Sequence, residues 1–161
     1  MERKNLPFRI NCEGYFLDSE GNILARESRG VIIFPGGGPN KNEDVIKAMI
    51  RETKEETGAI VKDIEEIGVI KIVWGPNWAK TEKQKSRYKL FQGDEMHFFT
   101  GDIEHFEEPE IKEEDFWDGN KLMNINEVIK KIEEKAPFDE DIREYREAQL
   151  KFLREIAKNG K

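Results

Sequence analysis

Apolar and polar residues alternate along the first part of the chain, with the period of two that is typical of β-strands. Residues 8–17 predict a strand with Phe8, Ile10, Cys12 and Phe16 on one face. A turn at residues 18–22 and an apolar segment at 23–26 predict a hairpin. A further apolar run at 31–34 must end at the Pro-Gly-Gly-Gly-Pro sequence of residues 35–39, which no regular element can cross.

The spacing then changes to that of an α-helix. One face of this predicted helix carries apolar or small residues, namely Val45, Ala48, Met49 and Thr53. Asp44 or Asn42 is suited to be the N-cap, and Gly58 is a natural terminator. The sequence therefore predicts a helix that begins directly after the glycine-rich segment.

Strand-like patterns return in the second half of the chain. Residues 64–74 are rich in Ile and Val and predict one or two strands, and residues 96–103 predict another. Residues 75–89 are polar without a clear period, which predicts a long loop, and such loops are usually functional or mobile. Residues 104–114 form an acidic connector.

Two helical patterns close the chain. The first covers residues 126–135 and is ended by Pro137, and the second begins near Asp139. The second contains an apolar stripe that predicts core packing, made of Ile142, Tyr145, Ala148, Phe152, Leu153 and Ile156. Strands mixed with helices predict an α/β or α+β fold, and a chain of 161 residues fits a single domain over residues 1–161.

Composition narrows the kinds of partner. A net charge of -7 argues against non-specific binding to nucleic acid, which needs many contacts from Lys and Arg to phosphates. The sequence has no apolar run long enough for a membrane span, and its first seven residues lack an apolar signal core. Cys12 is the single cysteine, so an intrachain disulfide is impossible. We expect a soluble, cytoplasmic protein without nucleic-acid or membrane partners.

An acidic cluster lies in the predicted helix after the glycines. Glu52, Glu55 and Glu56 stand at positions i, i+3 and i+4, so they share one helix face near the C-terminal end, where the macrodipole prefers cations. A hard divalent cation would relieve this repulsion, because Mg²⁺ and Mn²⁺ prefer carboxylate oxygens. The alternative is a solvated acidic face that Lys47 and Lys54 screen.

The segment from residue 37 to residue 59 resembles the Nudix box, G-x5-E-x7-R-E-U-x-E-E-x-G-U, in which U is aliphatic. Every fixed position is matched at its spacing, by Gly37, Glu43, Arg51, Glu52, Glu55, Glu56 and Gly58. This is far more specific than a single glycine motif. The two U positions are weaker, because Thr53 replaces an aliphatic residue and Ala59 is small.

The resemblance implies a Nudix α/β/α sandwich with a mixed central sheet between helices and an extra C-terminal helix. It also implies that Glu52, Glu55, Glu56 and the carbonyl of Gly37 hold Mg²⁺ or Mn²⁺. Glu43 and Arg51 would form a pair that ties the loop to the helix. The family differs in its general base, which leaves two alternatives: Glu52, or a later carboxylate among Glu95, Glu110, Glu113 and Glu114.

A basic stretch with aromatic neighbours follows the box. Between residues 80 and 89 the chain carries five cations against the single acid Glu82. One interpretation is an electropositive lid for phosphates whose aromatic rings stack on a base, with Lys80, Arg87, Tyr88 and Trp78 binding substrate. The other is a solvated loop with its aromatic rings in the core, which we favour for Trp74. We expect His97 and His105 to be structural.

The resemblance predicts an enzyme that cleaves a pyrophosphate bond in a nucleoside diphosphate-linked substrate, as a monomer or a homodimer. A MutT-like nucleoside triphosphate pyrophosphohydrolase is favoured. The alternative is an ADP-ribose or nucleotide-sugar pyrophosphatase, since Pro76 lies near the position where the ADP-ribose class carries proline. A non-catalytic nucleotide sensor is a third alternative, but such domains usually lose box carboxylates, which are all present here.

Overall fold

A mixed β-sheet passes through the middle of the molecule, which is seen in a computed structural model that describes residues 2–159. After a 3-10 turn at Arg3–Asn5, the strands are β1 (Phe8–Leu17), β2 (Asn22–Leu24), β3 (Arg26–Ser28), β4 (Val31–Ile33), β5 (Gly36–Gly37), β6 (Ala59–Val73), β7 (Gly93–Phe106) and β8 (Leu122–Asn124). The helices are α1 (Val45–Thr57), α2 (Glu82–Leu90), α3 (Ile125–Glu133) and α4 (Arg143–Asn159).

The sheet has the strand order β6-β7-β1-β2-β8, and the short strand β5 pairs with β1 beside this path. β1 and β7 run parallel, from the pair Phe8 and Gly93 to the pair Leu17 and Asp102, whereas the other pairs are antiparallel. β3 and β4 form a separate two-stranded sheet. The mixed sheet agrees with the prediction.

Two apolar cores lie on opposite faces of this sheet. Adjacent residues of a strand point to opposite faces, so Phe16 packs in the core beneath α1 while Tyr15 packs in the other. The first core includes Cys12, Met49, Phe99 and Trp117. The second is closed by α3 and α4, through Val128, Ile132, Leu150, Phe152 and Leu153. This arrangement confirms the predicted sandwich of helices around a mixed sheet and its extra C-terminal helix.

The predicted elements differ from the observed ones mainly in their ends. The strand predicted at 64–74 is the second half of β6, which begins at Ala59 and accommodates three register shifts against β7. Strand β7 continues to Phe106, so the acidic connector starts later than predicted. The last helix begins at Arg143 rather than near Asp139. Asp44 is the N-cap of α1, whereas Asn42 has a positive φ of 64°.

The prediction of a loop over residues 75–89 was wrong, because most of this segment belongs to helix α2. None of its residues is buried, so the apolar period that marks a helix is missing. A capping box starts the helix instead: the hydroxyl of Thr81 accepts from the backbone N–H of Gln84 at 3.1 Å, and the Gln84 side chain accepts from the Thr81 N–H at 3.1 Å.

No helix within residues 2–159 is both long enough and apolar enough to cross a membrane.

Candidate active site

Helix α1 is fixed at both ends by its sequence. The Asp44 carboxylate accepts hydrogen bonds from the N–H groups of Ile46 and Lys47, at 3.1 and 3.4 Å. Gly58 adopts the left-handed conformation with φ of 80°, and a Cβ atom there would stand 2.4 Å from the carbonyl oxygen of Glu107. Only glycine suits both requirements. The helix therefore has a defined end close to its acidic residues.

Arg51 joins the glycine-rich loop to α1. Its Nε lies 3.0 Å from one carboxylate oxygen of Glu43, and its Nη2 lies 2.9 Å from the other. Nη2 also donates to the carbonyl of Gly38 at 3.3 Å, and Glu43 accepts from the N–H of Asn40 at 2.9 Å. The hydrogen bonds from Arg51 are the main reason that the pKa of Glu43 falls to about 2. This geometry is that of a clamp between loop and helix.

The three glutamates of the box lie at the contact between α1 and this loop. Nη1 of Arg51 stands between two of them, 2.9 Å from Glu52 and 3.1 Å from Glu55. Glu56 reaches the loop directly, because its Oε1 accepts from the N–H of Gly36 at 2.8 Å. Pairing of β5 with β1 holds this part of the loop in place. The loop and the acidic helix face therefore form one site.

Burial, and after it the crowding of carboxylates, raises the pKa of two acids in this site. Burial and then the charges of Glu52, Asp115 and Glu55 raise the pKa of Glu56 to about 8, although the Gly36 N–H opposes the shift. Burial also raises the pKa of Glu52 against the effect of Arg51, with Glu55 and Asp115 adding to the rise. One guanidinium does not neutralise this many acids, so the site favours an added cation.

Gly37 makes the closest approach between the loop and the helix. A Cβ atom at this position would stand 2.6 Å from Cδ of Glu52 and 2.7 Å from its Oε2. The donor set of carboxylates beside a loop carbonyl fits a hard divalent cation. Within residues 2–159 no three acidic, His or Cys side chains converge on one point, and the box carboxylates are engaged by Arg51 and by the N–H of Gly36.

A cleft of about 460 Å³ extends away from Gly36 and Gly37. Its walls come from β1, β6, β7 and the segment before α4, and two of the predicted substrate residues, Trp78 and Arg87, line it. The other two do not: Lys80 is exposed ahead of α2, and the ring of Tyr88 packs under the guanidinium of Arg3 at 3.3 Å. Burial and the nearby Arg9 lower the pKa of Arg87.

A buried glutamate in the wall of this cleft was missed in the sequence analysis. Glu13 is 6% exposed and accepts hydrogen bonds from Tyr15 at 2.6 Å, from Gln149 at 2.8 Å and from Tyr145. Burial raises its pKa while these three donors oppose the shift. The network ties α4 to β1 across more than 130 positions of sequence, and strand alternation alone could not reveal it.

The later acids occupy different surroundings. Glu95 lies 2.7 Å from Nε2 of His97, whose other ring nitrogen contacts Glu66. Glu110, Glu113 and Glu114 are on or near the surface of the connector between β7 and β8. The connector docks on α1 through the N–H of Trp117, which donates to the carbonyl of Glu56 at 2.7 Å.

Docking of the connector brings a further acid into the site. Asp115 is two residues before Trp117, and its charge acts on both Glu52 and Glu56. Asp115 was not among the acids predicted from the sequence in this connector, which were Glu110, Glu113 and Glu114. The buried pair Phe116 and Trp117, apolar residues within an acidic segment, was the available signal for a docked connector.

Comparison with known proteins agrees with this architecture. The model of the NUDIX domain matches residues 11–145. A Nudix hydrolase from Nitrosomonas europaea has a TM-score of 0.61 at 15% identity, with 93% of this chain and 90% of that chain covered. A protein from Deinococcus radiodurans has a TM-score of 0.53 at 12% identity, with 89% and 84% covered. No curated protein is similar enough in sequence to count as a match.

A MutT Nudix hydrolase from Burkholderia pseudomallei gives a TM-score of 0.48 at 21% identity, with 73% of this chain and 84% of that chain covered. At such identities the solved structures from Nitrosomonas europaea and Deinococcus radiodurans establish the shared fold alone. The domain match covers most of the chain, so the chain belongs to the Nudix family. It is a hydrolase that acts on pyrophosphate bonds, in a family that generally uses divalent metal ions and acts on small nucleotide substrates.

Proposed function

We propose that the chain is a Mg²⁺- or Mn²⁺-dependent pyrophosphohydrolase of nucleoside diphosphate-linked substrates, and that nucleoside triphosphates are the preferred substrates, as in MutT-like enzymes. One observation carries the proposal. Glu56 and Glu52 meet the loop at Gly36 and Gly37, Glu55 is joined to Glu52 through Arg51, and the same two glycines line the cleft. A substrate in the cleft would thus present its diphosphate to the acidic site.

Glu52, Glu55, Glu56 and the carbonyl of Gly37 are the groups that would hold the metal. When bound, the metal would neutralise charge on the phosphate oxygens and acidify the attacking water. Metal binding requires ionised carboxylates. The pKa of Glu56 is raised in the structure, and the charge of a bound metal would stabilise its ionised form. Glu43 and Arg51 act in this proposal through position, since they hold the loop carbonyl near the three acids.

The general base is proposed from groups that face the acidic site. Glu52 and Asp115 are both suitable, because each is a carboxylate within the electrostatic reach of Glu56. Glu113 and Glu114 lie in the same connector and stay alternatives. Glu95 is engaged by His97, an ion pair that favours a structural role for both residues.

Trp78 and Arg87 are proposed to contact the substrate, since both line the cleft. Arg87 and Arg9 supply positive charge there, which suits phosphate groups. Lys80 and Tyr88 would contribute only from outside the cleft. Pro76 does not favour the ADP-ribose alternative, because it occupies the second position of a turn in which the N–H of Trp78 donates to the carbonyl of Gly75 at 3.1 Å, and turns generally favour proline there.

A nucleotide panel tests the proposal. The protein is incubated with nucleoside triphosphates, ADP-ribose and nucleotide sugars in the presence of Mg²⁺ or Mn²⁺, and the phosphate-containing products are separated. We expect a nucleoside monophosphate and pyrophosphate from the triphosphates. Glu55→Gln and Glu56→Gln should lose most turnover while remaining folded, and the exposed Glu147→Gln on α4 is the matched control.

Each alternative has its own result in this assay. Faster turnover of ADP-ribose or a nucleotide sugar than of the nucleoside triphosphates would assign the alternative activity, that of an ADP-ribose or nucleotide-sugar pyrophosphatase. Tight binding of a nucleotide without turnover in any condition would assign the sensor function. Native turnover in both glutamine variants would contradict the metal site itself.

A further inference from the structure

Two tryptophans at one end of the cleft are stacked on each other. The rings of Trp74 and Trp78 are 3.7 Å apart between centroids and 2° from parallel. Trp74 is 5% exposed, which agrees with the core position expected from its sequence. Trp78 is half-buried and lines the cleft beside it. The buried indole of Trp74 therefore packs against one face of the Trp78 indole.

Backbone geometry brings the two rings together. Trp74 directly follows β6, and its N–H donates to the carbonyl of Gln92 at 3.0 Å. The turn at Gly75–Trp78 then reverses the chain, with a hydrogen bond of 3.1 Å from the N–H of Trp78 to the carbonyl of Gly75. The reversal stacks Trp78, in the loop between β6 and α2, on Trp74, which directly follows the end of β6.

Asp94 fixes the lower ring from the neighbouring strand β7. Its Oδ2 accepts from Nε1 of Trp74 at 3.0 Å, which determines the orientation of the indole. Its Oδ1 is buried and has no hydrogen-bond partner among residues 2–159, and Nη1 of Arg9 lies 3.6 Å away. Burial raises the pKa of Asp94, against the effects of Trp74 and the two arginines. A carboxylate in such surroundings is costly for the fold, so a need beyond packing is indicated.

We infer that this end of the cleft is a stacking subsite for a nucleobase, with Trp78 as its platform, Trp74 as its support and Asp94 as the positioning residue. The inference rests on the proposed function, because it assigns a substrate class to the same cleft. Every base has a π-face that can stack on an indole. With the base on Trp78, the rest of a nucleotide extends toward Gly36 and Gly37 within a cleft of about 460 Å³, a usual size for a ligand site.

Arg9 and Arg87 both line the cleft, and both lie close enough to Asp94 to affect its pKa. A purely structural explanation makes Asp94 only the counter-ion of these arginines. That explanation requires a negative charge at position 94. The positioning role requires an acceptor for Trp74 instead, and an asparagine can supply an acceptor without the charge.

Tryptophan fluorescence tests the platform directly, since the chain has three tryptophans: Trp74, Trp78 and Trp117. The protein is titrated with AMP and GMP, and in parallel with ribose 5-phosphate, which carries the same phosphate without a base. We expect quenching by the two nucleotides and none by the sugar phosphate. Trp117→Phe should keep the quenching, whereas Trp78→Ala should weaken nucleotide binding by about 5- to 150-fold.

The positioning role is tested by steady-state kinetics with the best substrate of the panel. Asp94→Ala should raise KM by about tenfold or more and leave kcat within a few-fold, because stacking is sequence-independent binding rather than chemistry. Asp94→Asn should restore a KM close to the native value. Similar KM increases in both variants would overturn the positioning role and support the counter-ion explanation.

The outcomes separate this inference from the proposed function. Quenching by AMP and GMP without hydrolysis of any nucleotide supports the subsite and contradicts the proposed activity. Hydrolysis of nucleotides with equal affinity for ribose 5-phosphate and AMP supports the activity and overturns the subsite. Native nucleotide affinity in Trp78→Ala overturns the subsite as well, provided that circular dichroism shows the variant to be folded.

Discussion

Gly37→Ala is the substitution that bears most directly on the geometry of the acidic site. The new Cβ would stand 2.6 Å from Cδ of Glu52 and 2.7 and 2.9 Å from its two carboxylate oxygens. Ordinary van der Waals contact for these atoms is about 3.5 Å, so the carboxylate must retreat by about 0.9 Å. Arg51 holds the same carboxylate at 2.9 Å and limits the directions of that retreat.

A displacement of about 1 Å in a reacting constellation can reduce turnover by about 100-fold. We therefore expect kcat of Gly37→Ala to fall by about that factor, with only a small change in melting temperature because the displaced carboxylate is partly exposed to solvent. Gly38→Ala is the matched control, since its Cβ would meet nothing closer than the carbonyl of Ile10 at 3.2 Å. If the kcat of Gly37→Ala stayed within about threefold of the native value, and did not fall by about 100-fold, the proposed crowding of Glu52 would be refuted.

Two further substitutions test the site, and a third tests the ion pairs of His97. Arg51→Lys keeps the charge but loses the planar fork toward Glu43, so kcat should fall by about 10- to 100-fold; a native kcat would rule out the clamp. Asp115→Asn should lower kcat by about 100-fold without weakening Mn²⁺ binding if it is the base, whereas native kcat would leave Glu52, Glu113 and Glu114 as the candidates. His97→Gln should lose a pH-dependent part of the stability. Burial lowers the pKa of His97, but Glu66 and Glu95 outweigh it and raise the pKa. The stabilisation is therefore complete below the unfolded pKa of about 6.5 and disappears as the pH rises through the folded pKa. Melting temperatures of both proteins across this range should converge at high pH, and a constant difference would contradict the assignment.

The box could be located from the sequence because its geometry is local. Gly37, Glu43, Arg51 and Gly58 stand at fixed distances along a loop and one helix, so residue spacing determines which groups meet. The contacts of Arg51 with Glu43 and with the carbonyl of Gly38 follow from that short segment. The same applies to the strands around it, whose alternation places Phe16 and Tyr15 on opposite faces.

Helix α2 shows how a local signal can be present and still be missed. Its residues have no apolar face, and hydrophobic periodicity therefore gives no indication of it. Thr81 and Gln84 have the spacing of a capping box, which alone was sufficient to place the start of a helix. The consequence for the site is specific, since the helix directs Arg87 into the cleft and Tyr88 toward Arg3.

Residues that are distant in sequence and meet only in the folded structure could not be found from local sequence patterns. Asp94 reaches Trp74 across two paired strands, and Glu13 reaches Gln149 over 136 positions. Asp115 enters the acidic site only because the connector docks on α1 through Trp117. The distance along the chain between these partners follows no motif, so the residues of the cleft wall could be identified only from the structure.

Binding of Mn²⁺ to the folded protein, measured by electron paramagnetic resonance, tests the central claim most directly. The claim is that Glu52, Glu55 and Glu56 form the metal site. We predict saturable Mn²⁺ binding that weakens by about tenfold or more in Glu56→Gln, because a site loses affinity with each lost anionic ligand. The exposed Glu147→Gln should bind as the native protein does. Equal Mn²⁺ affinity in the native protein and Glu56→Gln would contradict the account.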